Sequence, residues 1–143
     1  MQKYYVIIDS NFLFLPIQFK IDYLHEIFLN LGGKTNLILF QQILNELNSK
    51  LKRETQARKF KMDFKASLQY LDMNKGKYSI QYLNKVKKDN ETTDQFLLQE
   101  CISYKTEGSK VFLATNDSEL RKKANQDGIH TIYLKQKKYL VFD

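Results

Sequence analysis

At 143 residues, 43% of them hydrophobic, the chain is long enough for one compact domain with a real core and is not of disordered composition. No apolar run is long enough to cross a bilayer and no signal peptide precedes the first apolar run, so the sequence reads as soluble and cytoplasmic, with no membrane partner. A lone Cys101 excludes an intramolecular disulfide and a cysteine-rich zinc site, while 23 Lys plus Arg against 16 Asp plus Glu, a net charge of +7, suits a polyanionic partner.

Tyr4-Tyr5-Val6-Ile7-Ile8 is a continuous run of strand formers that stops abruptly at Asp9-Ser10-Asn11. Such a run predicts a strand buried on both faces, at the centre of a parallel sheet. Asp9 then stands just beyond the strand's carboxyl end, where open α/β sheets bind ligands. It also suits a helix cap. Pro16 breaks continuous helix through residues 12–16. A helix is expected over residues 21–31, with Leu24, Ile27, Phe28 and Leu31 at spacings of three and four, and Gly32-Gly33 ending it. Residues 36–40 form a second buried strand.

The next helix starts near Gln41, with Ile43, Leu44, Leu47 and Leu51 as its apolar stripe and Glu46 bordering that stripe. A helix over residues 55–73 turns Phe60, Phe64, Leu68 and Leu71 inward and Arg58, Lys61 and Lys65 outward. Residues 78–80 suggest a short edge strand, followed by a basic loop with Lys85, Lys87 and Lys88. Thr92 or Thr93 caps a helix whose first turn holds Asp94, on the same face as Leu97, Leu98 and Cys101. Residues 110–115 form a buried strand that runs into Asn116-Asp117. A helix follows with Leu120 and Ala124 inward and Arg121, Lys122 and Lys123 outward, stopped by Gly128. Residues 130–134 form the last parallel strand, and residues 139–142 pair back on it. With one proline and no repeat or low-complexity stretch, residues 1–143 read as a single domain of a parallel α/β sheet with helices on both faces.

Four acids occupy special places in this plan. Asp9 and Asp117 follow strands, Asp94 opens a helix, and Glu46 lies in a helix that leaves a strand end. Each of Asp94 and Asp117 taken singly suits a helix N-terminus. Crowded together, four carboxylates resist joint ionisation, and a hard divalent cation removes the conflict. Acids in a cleft surrounded by lysine and arginine suit metal-dependent cleavage of a phosphodiester.

Asp9-Ser10-Asn11, Ile43-Leu44-Asn45-Glu46-Leu47, Thr93-Asp94 and Thr115-Asn116-Asp117-Ser118-Glu119-Leu120 resemble the motifs of the PIN-domain ribonuclease family, over nearly the whole chain. Lys20-Ile21-Asp22, Leu51, and residues 114–121 and 128–139 make the resemblance closest to the ribosomal-RNA-processing PIN proteins of small-subunit maturation, in a short archaeal-like form. The resemblance implies a three-layer α/β/α fold around a central, mainly parallel sheet. It implies an Mg²⁺ or Mn²⁺ site of Asp9, Glu46, Asp94 and Asp117 that cuts single-stranded RNA, with water as nucleophile. Ser10, Asn11, Thr115 and Asn116 would support those acids, and Arg58, Lys61, Lys65, Lys87, Lys88, Arg121 and Lys122 would meet RNA phosphates. Ser10 replaces the usual threonine and keeps its hydroxyl. Thr93 stands where close relatives often have a second acid, which weakens a second metal site; Glu91 is the nearby alternative, at a position that reads as solvated loop.

The resemblance leaves three functions: a nuclease acting on ribosomal RNA precursor alongside assembly proteins, a toxin-type ribonuclease silenced by a small antitoxin, or a non-cleaving assembly factor. The closing segment 139–142 favours the first of these over the toxins, and a homodimer stays open. His25 and His130 match no ligand spacing and read as structural, and Cys101 reads as core. A glycine-rich phosphate loop is absent, and Asp9-Ser10-Asn11 lacks the second acid of an Asp-x-Asp phosphatase.

Overall fold

A computed structural model describes residues 2–53 and 58–143. Six strands form one sheet: β1 (Tyr4–Ile8), β2 (Thr35–Phe40), β3 (Ile80–Leu83), β4 (Lys110–Ala114), β5 (His130–Lys135) and β6 (Tyr139–Phe142), in the order β3-β2-β1-β4-β5-β6. All neighbouring pairs are parallel except β5 with β6. Val6, Ile7 and Ile8 are fully buried, as an apolar run without alternation requires for a strand covered on both faces. Burial of each such side chain contributes roughly 1.5–3 kcal/mol.

The helices are α1 (Ser10–Leu13), α2 (Leu15–Gln18), α3 (Tyr23–Leu31), α4 (Gln41–Arg53), α5 (Arg58–Asn74), α6 (Thr93–Thr106) and α7 (Ser118–Gln126). Right-handed crossovers between parallel strands in this order put α1–α5 on one face and α6 and α7 on the other. The packing agrees: α4 meets β2 and α1, α5 meets α2, α6 meets β4 and β1, and α7 meets β5. Phe14 separates α1 from α2, and Pro16 lies in the first turn of α2, where its missing N–H costs nothing. Among the described residues, no helix is long and apolar enough to cross a membrane.

Two boundaries differ from the sequence reading, and a third falls outside the described residues. The helix expected from residue 21 starts at Tyr23, because the Asp22 side chain accepts the His25 amide at 3.3 Å and fixes the cap there. The start expected at Thr55 lies outside the described residues. The edge strand sits at Ile80–Leu83 rather than 78–80: Leu37 pairs with Ile80 and Phe40 with Leu83. Its alternation is weak because it is an edge strand with only half-buried apolar residues, Tyr82 facing out. The closing segment does fold back antiparallel, through the three residues 136–138, where the Lys138 amide donates to the Lys135 carbonyl at 3.1 Å and Gln136 and Lys137 have positive φ.

Candidate functional site

Strand order reverses between β1 and β4, so the turns after these strands part and leave a crevice at their carboxyl ends. Asp9 stands there, 6% exposed. Its backbone amide bonds the Ala114 carbonyl at 3.0 Å and extends the ladder by one residue, which holds the side chain against the rigid centre of the sheet. Its Oδ1 accepts the Ser10 amide at 2.8 Å and caps α1, so the cap reading of Asp9 is right as far as it goes. Its Oδ2 accepts the Thr115 hydroxyl at 2.7 Å and the Asn11 amide at 3.3 Å, which a cap alone does not need.

Thr115 is fully buried, and its hydroxyl also accepts the Asp117 backbone amide at 3.1 Å. One hydroxyl therefore ties the acid after β1 to the acid after β4. Asn11 Oδ1 accepts the Asn116 amide at 2.9 Å, and Asn116 Oδ1 accepts the Leu134 amide of β5 at 2.9 Å. Asp117 caps α7 through Oδ1, which accepts the amides of Glu119 and Leu120, so only its other oxygen is turned free of the helix.

The second wall comes from α4 and α6. Thr92 caps α6 in a reciprocal capping box with Gln95, which places Asp94 in the first turn at the same edge of the sheet. Asp94 accepts no hydrogen bond among the described residues. The Thr93 hydroxyl donates to Glu46 Oε1 and accepts Gln42 Nε2 at 3.2 Å, and Gln42 Oε1 accepts the Lys87 amide at 3.1 Å. Gln42 and Thr93 are both buried. Burial, then the charge of Asp117 and that of Glu46, hold the Asp94 carboxyl above its ordinary range, against the pull of Lys123. Burial is also the largest cause raising Asp9; the bonds from Thr115 and Ser10 oppose it, and the charges of Asp94 and Glu46 add to it. Asp94 is thus coupled by charge to Asp9, Glu46 and Asp117, and Asp9 also to Glu46.

Hard carboxylate oxygens in mutual repulsion are the donor chemistry of Mg²⁺ or Mn²⁺. Among the described residues, no three Asp, Glu, His or Cys side chains stand close enough to enclose one ion. The arrangement fits a cation that keeps several waters and takes one or two carboxylates directly, as Mg²⁺ does, rather than a closed protein cage.

The basic residues separate into groups. Lys87 lines a groove that begins at Ser10 and Glu46. Lys88 borders a different hollow, between the 85–91 loop and α6. Arg58, Lys61 and Lys65 are exposed along α5, and Lys122 is exposed on α7. Arg121 is half-buried: its guanidinium lies 3.9 Å over the Tyr133 ring and donates to the Asn116 carbonyl, so it braces the 115–117 turn. Glu91 accepts the Lys88 amide at 3.0 Å and closes its own loop. His130 stacks on Phe112 at the start of β5, at the opposite edge of the sheet from the acids, and Cys101 is buried, its thiol pushed up by burial. Sequence reasoning missed Gln42, the role of Thr93, and two further cations on the groove, Lys50 and Arg53. A signal for the last two was present: they follow Glu46 by four and seven residues, on one helix face.

Fold and cleft together define a doubly wound α/β protein with an acidic site at its switch point. The family described as "PIN like domain" matches residues 6–137, and the chain belongs to that family. It is 27% identical over 136 residues, 95% of this chain and 94% of the relative, to "Ribonuclease VapC4" of Methanocaldococcus jannaschii. The solved structure of the PIN domain endonuclease Utp24 superimposes with a TM-score of 0.69 at 21% identity, covering 97% of this chain and 90% of that one. A domain of a functionally unknown protein from Methanocaldococcus jannaschii superimposes with a TM-score of 0.62 at 16% identity, over 96% and 95% of the two chains.

Proposed function

We propose that residues 1–143 form one PIN-like domain that acts in the cytoplasm as a metal-dependent endoribonuclease on single-stranded RNA, with ribosomal RNA precursor as substrate. The observation that carries the reading is the charge coupling among Asp9, Glu46, Asp94 and Asp117 at the sheet's switch point, where burial and mutual repulsion raise Asp9 and Asp94. One or two of these four carboxylates would hold the cation directly and the others through its waters, Asp9 most rigidly because Ser10, Asn11 and Thr115 fix both its oxygens. A bound Mg²⁺ or Mn²⁺ supplies charge to the phosphoryl group and activates water. Thr93 and Gln42 orient Glu46, and Asn116 and Arg121 keep the turn carrying Asp117 in place. Water is the nucleophile, and the chain forms no covalent intermediate.

The strand β6, paired on β5, supports the ribosomal reading over the toxins. The similarity to a protein named as a VapC ribonuclease favours a second reading, a toxin-type ribonuclease held silent by a small partner. Crosslinking of an Asp117→Asn variant to cellular RNA tests the choice. Asn keeps the helix cap, since the two residues cap about equally, while removing the charge. Contacts concentrated on ribosomal precursor support the first reading. Contacts on a translation RNA such as tRNA, with a small antitoxin-like reading frame beside the gene, support the second.

A further inference from the structure

Beside the acids, an open groove runs from Ser10 and Glu46 along α4, lined by Lys50, Arg53 and Lys87. Lys50 and Arg53 lie one and two turns beyond Glu46 on the same helix face, about 6 and about 10 Å along its axis at a rise of about 1.5 Å per residue. At roughly 3.4 Å per phosphate in a stacked strand, they stand about two and three phosphates from the acid. Among the described residues, none of the three cations pairs with an acid. Lys87 is set in place by the bond from its backbone to buried Gln42, the residue that also holds Thr93 against Glu46. A second hollow continues from Ser10 past Lys50 to Phe60, whose ring lies 4.9 Å beneath the Lys50 ammonium. Cations that follow a backbone, with an aromatic face beside them, are the means by which proteins hold single-stranded nucleic acid without reading its sequence.

We infer that this groove is the binding track for the RNA strand on one side of the cut, with phosphates on Lys50, Arg53 and Lys87 and an unstacked base on the Phe60 ring, which Lys50 uncovers as its ammonium turns to a phosphate. The inference rests on the ribonuclease reading of the acidic cleft and adds to it a direction for the substrate, along α4 and away from α7.

The test is fluorescence anisotropy of a short labelled single-stranded oligouridylate, in EDTA and over a series of salt concentrations. The variants are Lys50→Ala/Arg53→Ala, Phe60→Leu, and a control, Lys34→Ala/Lys110→Ala, that removes the same charge at the amino ends of β2 and β4. Loss of two single-strand phosphate contacts lowers the slope of log affinity against log salt by about 1.4, and affinity at moderate salt falls about tenfold or more. Phe60→Leu, which keeps bulk against Phe14 and Phe64, weakens binding about tenfold with the slope unchanged. The control changes little. Equal losses in Lys50→Ala/Arg53→Ala and the control overturn the inference, as does an unaltered slope. Cleavage by the wild type in Mg²⁺ with the α4 variant binding normally would leave the ribonuclease reading standing and remove the groove. Groove-dependent binding without cleavage under any metal condition would do the reverse.

Discussion

Thr115 donates its hydroxyl to Asp9 Oδ2 at 2.7 Å from a position 106 residues further along the chain, and the Thr115 Oγ1 of that hydroxyl accepts the backbone amide of Asp117. The two acids that follow adjacent central strands are thereby set by one buried group. Thr115→Val keeps the shape and removes the hydroxyl. It leaves the Asp117 amide without its partner and the Asp9 carboxylate without its shortest bond. We expect a loss of about 1–3 kcal/mol in stability and a fall in RNA cleavage of about 10–100-fold, the usual effect of removing a group that orients a metal ligand. Denaturant unfolding and single-turnover cleavage measure the two effects. Thr115→Ser, which retains the hydroxyl, recovers most of the activity.

Thr93 stands where an additional acid was expected from the family pattern, and its hydroxyl is bonded between Gln42 and Glu46. Thr93→Val frees Glu46 to turn into solvent, so cleavage falls about tenfold while Thr93→Ser retains it. The readout that separates positioning from folding is the Mg²⁺ concentration for half-maximal activity, which rises in the valine variant and not in the serine variant.

Arg121 is engaged with Tyr133 and the Asn116 carbonyl, and Lys122 beside it is exposed. Arg121→Ala is expected to cost about 1 kcal/mol in stability, from the lost ring contact and hydrogen bond. Lys122→Ala leaves the melting temperature within error and weakens RNA binding at low salt. Melting curves and salt-dependent binding of the two variants check this division of roles.

Asp94 is raised by burial, by Asp117 and by Glu46, and no hydrogen bond among the described residues compensates it. A carboxyl raised in the folded state holds its proton more tightly there than in the unfolded chain. Its contribution to stability is present below the unfolded value, near 3.8, and is lost as pH rises through the raised folded value. Asp94→Asn therefore raises the melting temperature of the metal-free protein at neutral pH, and the gain shrinks to nothing as pH falls through that window. Added Mg²⁺ stabilises the wild type by binding the folded state and stabilises the variant less.

The central strand and the order of elements were legible in the sequence, because each depends on local chemistry. Val6-Ile7-Ile8 has no polar residue to expose, Thr92 and Asp117 are caps beside their own helices, and Leu120 and Ala124 keep helical spacing. What stayed hidden depends on partners far apart in the chain. Gln42 looks like an ordinary helical glutamine until Thr93, 51 residues away, and the Lys87 amide are brought to it. The register of β3 is set by pairing with β2 rather than by its own pattern. Arg121 reads as one of a basic run until β5 places Tyr133 under its guanidinium.

The most direct test is cleavage of a single-stranded RNA by the wild type and Asp9→Asn, each with Mg²⁺ or Mn²⁺ and each with chelator. Asn keeps the cap on α1 but replaces one oxygen by a donor and removes the charge the cation requires. We expect metal-dependent cleavage by the wild type, none with chelator, and a loss of at least about a hundredfold in Asp9→Asn, equivalent to about 2.7 kcal/mol in the barrier. The variant should still melt cooperatively and retain much of its RNA binding. Equal cleavage by the two proteins would show that Asp9 is a cap and nothing more, and would contradict the proposed site.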